Sequence, residues 1–126
     1  MSLILIVEDN DKNLKLVRDV LRVKGYETLE AGTAEDGLVL ARERRPDLVL
    51  MDIELPGMNG VDALHALRAD ALTAGIPVAA VTASVMERDR SKIMAAGFDE
   101  YIPKPIELKS FLASVQRLLD EGRRDG

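Results

Sequence analysis

Three short runs of consecutive apolar residues constrain the fold of this chain more than any other feature. They are rich in residues that favour β-strands, and they are Leu3–Val7, Leu48–Met51 and Val78–Val81. Strands that are apolar on both faces are buried on both sides, which is typical of parallel sheets covered by helices. Two more polar candidates, Glu27–Ala31 and Glu100–Ile102, are expected nearer the edges of the same sheet.

Helical patterns separate these strands. Capping residues stand before three of the helices, at Asn10, Thr33 and Ser84, and Gly25 and Gly97 follow the first and the fourth. The predicted helices cover residues 12–24, 34–45, 61–71, 84–97 and a last segment that begins at residue 108. Strand and helix alternate five times, which requires right-handed crossovers. The expected fold is therefore α/β, a doubly wound, flavodoxin-like, five-stranded parallel sheet of order 2-1-3-4-5 with five helices.

Composition narrows the class of protein. The chain has 126 residues and 47% of them are hydrophobic, so residues 1–126 are expected to form one domain with a frayed polar tail over 121–126. The formal net charge of -5 argues against direct contact with nucleic acid, whose phosphates attract basic surfaces. Cysteine is absent, which suits a reducing cytoplasm, and no apolar run approaches the ~20 residues of a membrane span.

Polar residues stand at or just after the ends of four of the predicted strands. Glu8 and Asp9 follow the first strand, Asp52 the third, Thr82 the fourth and Lys104 the fifth. Ligands of open parallel sheets bind outside the carboxyl ends of the strands. In a sheet of order 2-1-3-4-5 these side chains are expected to converge in one shallow pocket.

The chemistry of this set is coherent. Crowded carboxylates repel one another and need a cation, and oxygen ligands without His or Cys favour magnesium. A carboxylate can act as a nucleophile and hold an acyl phosphate, and an ammonium and a hydroxyl can then bind the phosphoryl oxygens. Acidic residues after a strand often only cap the next helix. The joint occurrence at four strand ends is what favours a phosphoryl site.

The motifs around these residues resemble the receiver domains of response regulators in bacterial two-component systems. The resemblance extends from residue 3 to about residue 119, and its motifs are Val7–Asn10, Leu50–Ile53, Leu55–Gly60, Val81–Ala83 and Lys104–Pro105. Within the family the chain resembles stand-alone receivers such as the cell-division regulator DivK, through Asn13, Gly25–Leu29 and Pro46–Leu48.

The resemblance implies a phosphoacceptor and a magnesium site. Asp52 would be the phosphoacceptor. Asp9 and Asp52 would bind Mg²⁺ directly, Glu8 would bind it through water, and the main-chain carbonyl of Glu54 would be a further ligand. The side chain at the position of Glu54 tunes the lifetime of the phosphoryl group in this family, as does the position of Ser84.

The resemblance also implies a conformational switch. Thr82 and Lys104 would hold the phosphoryl group, Thr82 and Tyr101 would switch, and the peptide bond between Lys104 and Pro105 would be cis. Pro103 departs from the family, which more often has a small or hydroxylated residue there.

The implied role is that of a signalling domain and not of an enzyme. A sensor histidine kinase or histidine phosphotransfer protein is expected to dock on the first helix, where Leu16 and Val20 form an apolar pair beside the predicted buried face. An output partner is expected to bind the helix over 84–97 and the last strand. Two alternatives stay open. The chain could be a receiver cut from a larger regulator, or an aspartyl-phosphate phosphatase, which the order of its acidic residues disfavours.

Overall fold

The computed structural model describes residues 2–83 and 87–122 and contains one five-stranded sheet. All strand pairs are parallel, and the order is β2-β1-β3-β4-β5. The strands are β1 (Leu3–Val7), β2 (Glu27–Ala31), β3 (Leu48–Asp52), β4 (Val78–Thr82) and β5 (Glu100–Pro103). The predicted fold class and strand order are therefore confirmed.

In the described part of the chain, four helices connect the strands and a fifth follows the last strand. They are α1 (Asp11–Val23), α2 (Ala34–Arg44), α3 (Gly60–Ala69), α4 (Glu87–Ala95) and α5 (Leu108–Glu121). Apart from the start of the fourth helix, the predicted ends of the helices lie within two residues of the observed ends. The predicted start of the fourth helix at Ser84 lies outside the described residues. The predicted frayed tail over 121–126 is wrong at Glu121, which ends α5, and residues 123–126 of that tail lie outside the described residues. None of the described helices has the length and apolar character needed to span a membrane.

The two faces of the sheet bury separate apolar cores. Alternate residues of the three central strands point to opposite faces, as the period of a strand requires. One face packs against α2, α3 and α4, and its core includes Leu64 and Leu67. The other face packs against α1 and α5, and its core includes Leu21, Phe111 and Val115. Burial on both faces explains why the central strands are continuously apolar.

Short polar residues set the helix starts that adjoin the strand ends. The Asn10 side chain accepts hydrogen bonds from the backbone N–H groups of Lys12 and Asn13 at 3.0 and 3.1 Å. Thr33 caps α2 in the same way through the N–H of Asp36, at 3.1 Å. Each cap satisfies backbone donors that the first turn of a helix leaves without partners. These starts fix where the loops after β1 and β2 end.

The start of α3 lies unusually close to the end of β3. A β-carbon added to Gly60 would lie 2.6 Å from the carbonyl oxygen of Asp52 and 3.0 Å from the α-carbon of Ile53. Both neighbours are backbone atoms, so they cannot move aside without shifting the loop that follows Asp52. Glycine is therefore required at position 60 for this close approach.

A Gly60→Ala substitution is expected to destabilise the fold. We expect a loss of ~1–3 kcal/mol in the free energy of unfolding, because the added methyl group overpacks a backbone contact. Gly75→Ala is the matched control, since no atom lies within 4 Å of the β-carbon there. Urea unfolding of both variants checks this, and equal stabilities would show that the loop after β3 adapts without cost.

Candidate functional site

The strand ends converge as the sequence predicts. Glu8 follows β1, Asp52 ends β3, Thr82 ends β4 and Lys104 follows β5. The Lys104 Nζ lies 2.9 Å from Glu8 Oε1 and 3.2 Å from Asp52 Oδ2. One ammonium group therefore joins the ends of three different strands.

Three carboxylates form an acidic cluster at this edge of the sheet. Ligand oxygens of Glu8, Asp9 and Asp52 all lie within 4.8 Å of one another. Glu8 and Asp52 are only 5% and 2% exposed, whereas Asp9 is exposed to solvent. An oxygen-only donor set with one open side suits a hard divalent cation that keeps several water ligands. The predicted carboxylate ligands are thus brought together.

The environment of Asp52 makes its carboxyl group harder to ionise than in water. Burial raises the pKa of Asp52 above its ordinary value, and the neighbouring Glu8 raises it further, while the Glu54 N–H and Lys104 oppose the rise. The environment of Lys104 favours its charged form. Burial lowers its pKa, but the hydrogen bond to Glu8 and the negative charge of Asp52 outweigh burial, so its pKa is raised and the ammonium stays charged.

The raised pKa of Asp52 gives a testable pH dependence of stability. The folded state holds the Asp52 proton more tightly than the unfolded state, whose reference pKa is 3.8. The resulting stabilisation is present below that value and is lost as the pH rises through the folded-state pKa. Without divalent cations, the wild type is therefore expected to lose stability relative to Asp52→Asn between acid and neutral pH. Chemical unfolding in chelator at several pH values checks this, and a constant difference would contradict it.

The Glu54 side chain makes contacts that the sequence did not predict. The predictions for Glu54 concerned its main-chain carbonyl as a metal ligand and its side-chain position as one that tunes the phosphoryl lifetime. In the structure its Oε1 accepts a hydrogen bond from the Thr82 hydroxyl at 2.6 Å and from the Ala83 N–H at 3.0 Å. The Glu54 N–H donates in turn to Asp52 Oδ1 at 3.0 Å. Only the spacing of two residues from Asp52 pointed to this contact, and spacing does not show where a side chain points.

The predicted switch residue Tyr101 lies on the edge strand β5 and is half-buried. The guanidinium carbon of Arg90, on α4, lies 5.4 Å from the centre of the Tyr101 ring. This distance permits a cation–π contact between α4 and β5. Pro103 is the last residue of β5 and is exposed, so the donor that it lacks is tolerated there. The cis peptide bond between Lys104 and Pro105 is confirmed.

An apolar groove adjoins the acidic cluster beside α1. We call it the α1 groove. It has a volume of about 340 Å³, and its lining includes Asn13, Leu16, Lys104, Pro105 and Ile106. Leu16 is 46% exposed, which is high for a leucine of an amphipathic helix. The second apolar face predicted on the first helix is thus open to solvent at Leu16.

The chain is similar to known receiver domains along nearly its whole length. Residues 4–116 match the family model of the response regulator receiver domain. The polar-differentiation response regulator DivK of Brucella anthropi is 42% identical over 118 residues, which cover 94% of this chain and 96% of that protein. The resemblance to DivK predicted from the sequence is therefore confirmed.

Solved structures agree with this relationship. A CheY-like response regulator receiver domain protein from Methanospirillum hungatei has a TM-score of 0.85 and 33% identity, covering 96% of this chain and 95% of that chain. The receiver domain of a sensor histidine kinase from Pseudomonas aeruginosa, with a magnesium ion coordinated in its active site cleft, has a TM-score of 0.88 and 30% identity, covering 95% and 98%. The convergent strand ends, the fold and these relatives together show that the chain belongs to the response regulator receiver domain family.

Proposed function

We propose that this chain accepts a phosphoryl group on Asp52 from a sensor histidine kinase or a histidine phosphotransfer protein. The observation that carries the proposal is the ion pair of the Lys104 ammonium with the carboxylates of both Glu8 and Asp52, at the carboxyl end of the central strand. A buried carboxylate with an adjacent cation can attack phosphorus and then be held as an acyl phosphate.

Magnesium is the proposed cofactor. The acidic cluster of Glu8, Asp9 and Asp52 would hold it together with the main-chain carbonyl of Glu54, and the donor set supports this choice. When bound, the ion supplies positive charge that lets a phosphoryl group approach these carboxylates. The magnesium in the related Pseudomonas aeruginosa receiver domain supports the same assignment.

The proposed transfer forms one bond to phosphorus and breaks another. An oxygen of Asp52 forms a bond to phosphorus while the bond between phosphorus and the histidine nitrogen breaks. The imidazole leaves with the bonding electrons and takes up a proton. Lys104 neutralises charge on the phosphoryl oxygens, and the Thr82 hydroxyl donates a hydrogen bond to one of them.

Metal removal tests this proposal. We expect the purified chain to be labelled by radioactive acetyl phosphate in the presence of Mg²⁺ and to lose nearly all labelling in excess chelator, because the clustered carboxylates then repel the donor. Re-addition of Mg²⁺ should restore the label. Equal labelling with and without the metal would exclude the proposed site.

The output surface is proposed to be α4 together with β5. Among the described side chains of α4 only Ile93 is buried, so this helix is lightly anchored. Few buried apolar contacts mark the segments of a protein that are most easily displaced. A change in the positions of Thr82 and Tyr101 on phosphorylation would alter how α4 meets β5, which a protein partner could recognise.

The phosphoryl donor is proposed to dock on the α1 groove. Lys104 and Glu8 line part of the groove and also pair with each other beside Asp52, so a helix that lies in the groove could bring its phosphohistidine to Asp52. The exposed apolar side chain of Leu16 with polar residues around it is typical of a transient interface.

We also propose that residues 1–126 act as one receiver domain. The alternative of a receiver cut from a larger regulator predicts the same site.

Truncation of the exposed α1 face separates docking from chemistry. A Leu16→Ala, Val20→Ala variant is expected to accept phosphate from acetyl phosphate normally. It should accept phosphate from the cognate phosphohistidine protein at least about fivefold more slowly, because truncating an interface anchor costs more than about 1 kcal/mol. Val39→Ala is the matched control, since Val39 is 55% exposed on α2, away from the groove. Equal loss with both donors would show that the α1 residues stabilise the fold and do not dock a partner.

A further inference from the structure

We infer that the Glu54 carboxylate is an internal competitor of the phosphoryl group for the hydrogen-bond donors at the end of β4. The inference rests on the proposed function, because it concerns how the phosphoryl group on Asp52 gains the Thr82 hydroxyl. Glu54 is thus a positioning residue, which holds Thr82 in the unphosphorylated arrangement and must release it when Asp52 is phosphorylated.

The hydrogen bonds of Glu54 Oε1 carry the inference. One carboxylate oxygen accepts from both the Thr82 hydroxyl, at 2.6 Å, and the Ala83 N–H, at 3.0 Å. Two adjacent donors that reach one oxygen form a small anion-binding site at the end of β4. A hydroxyl has one proton to donate, so Thr82 cannot give it to Glu54 and to a phosphoryl oxygen at once. The two acceptors therefore exclude each other.

Glu54 is also linked to the phosphoacceptor. Its backbone N–H donates to Asp52 Oδ1 at 3.0 Å, so Glu54 connects the end of β3 to the end of β4. Within the described residues, no lysine or arginine forms an ion pair with Glu54, while Lys104 pairs with Glu8 and Asp52. A phosphoryl group on Asp52 would add negative charge beside a carboxylate that no such ion pair neutralises. Repulsion then favours the departure of Glu54.

The consequence is a threshold for activation. Phosphorylation must break two charge-assisted hydrogen bonds of Glu54 before Thr82 can bind the phosphoryl group, so part of the binding free energy is spent on this release. A glutamine at position 54 would keep the shape and an acceptor oxygen but would lose the charge. It should hold Thr82 less tightly and should not repel the phosphoryl group.

Beryllofluoride affinity tests the inference directly, since this complex stands in for the phosphoryl group on an aspartate. At saturating Mg²⁺ we expect Glu54→Gln to bind beryllofluoride about tenfold more tightly than the wild type, which corresponds to about 1.4 kcal/mol. Glu35→Gln is the matched control. It removes the same charge from the exposed start of α2, at the same end of the sheet, and should change the affinity less than about twofold, since exposed charges are screened.

The outcomes separate the inference from the proposed function. No beryllofluoride binding by the wild type would overturn both. Binding by the wild type with equal or weaker binding by Glu54→Gln would overturn the inference alone, and so would an equal gain in Glu35→Gln.

The amide resonance of Ala83 gives a second readout, without metal or phosphate. In the resting wild type we expect a downfield shift from the hydrogen bond to the Glu54 carboxylate. The shift should move upfield in Glu54→Gln and stay in place in Glu35→Gln. An Ala83 resonance that is the same in all three proteins would show that Glu54 does not hold this donor.

Discussion

An Asp52→Asn variant is expected to accept no phosphoryl group from acetyl phosphate or from a phosphohistidine protein. An amide oxygen cannot replace the carboxylate as a nucleophile, and losing the nucleophile of a covalent mechanism typically costs on the order of 10⁴-fold or more. The variant should stay folded, because asparagine keeps the shape of the buried side chain. Radiolabelling of wild type and variant at the same Mg²⁺ concentration measures the loss.

Asp9→Asn is the informative companion to this variant. Asp9 belongs to the acidic cluster but is exposed, and no hydrogen bond joins it to Lys104 in the described structure. The Asp9→Asn variant is expected to be phosphorylated still, but to need a higher Mg²⁺ concentration than the wild type. Full phosphorylation of Asp52→Asn, with loss in Asp9→Asn, would move the acceptor from Asp52 to Asp9.

An Asp99→Ala variant is expected to lose about 3–5 kcal/mol of unfolding free energy, the usual cost of breaking a buried ion pair from one side. Asp99 is 3% exposed. Its Oδ2 accepts from Arg68 Nη2 at 2.9 Å and from the Val78 N–H at 2.8 Å. Removal of the carboxylate breaks its ion pair with a largely buried guanidinium at the start of β4. Since domains of this size are stable by only ~5–15 kcal/mol, the variant should unfold at much lower urea concentration.

Asp19→Ala is the control for this loss. Asp19 pairs with Arg18 at 3.3 Å on the surface, where such pairs contribute little. Its unfolding midpoint should match that of the wild type. If Asp99→Ala also unfolded at the wild-type midpoint, the buried pair would contribute nothing net to stability.

The sequence was sufficient to predict the fold because its signals are local. Continuous apolar runs show burial on both faces of a strand, and Asn10 and Thr33 mark helix starts through contacts within three residues. The convergence of the strand ends was predictable as well, because it follows from the order of the strands. Once the strand order is known, the residues after Val7 and Met51 must lie at one edge of the sheet.

The side-chain contacts that span the fold were not predictable in this way. Asp99 meets Arg68 across 31 residues of sequence, and Thr82 meets Glu54 across 28. These pairs depend on the direction of side chains in loops and at strand ends, which no periodicity encodes. Leu108 shows the same limit within a helix. It continues the apolar spacing of α5 but is 49% exposed, as the first residue of that helix.

The identity of the phosphorylated residue tests the central claim most directly. The chain is incubated with acetyl phosphate and Mg²⁺ and then reduced with borohydride, which converts an aspartyl phosphate into homoserine. Mass spectrometry of the resulting peptides locates the homoserine. We expect it at position 52 and at no other aspartate, and we expect none in the chelator-treated sample. Homoserine at position 9, or a phosphorylated protein that contains no homoserine, would contradict the assignment of Asp52 as the phosphoacceptor.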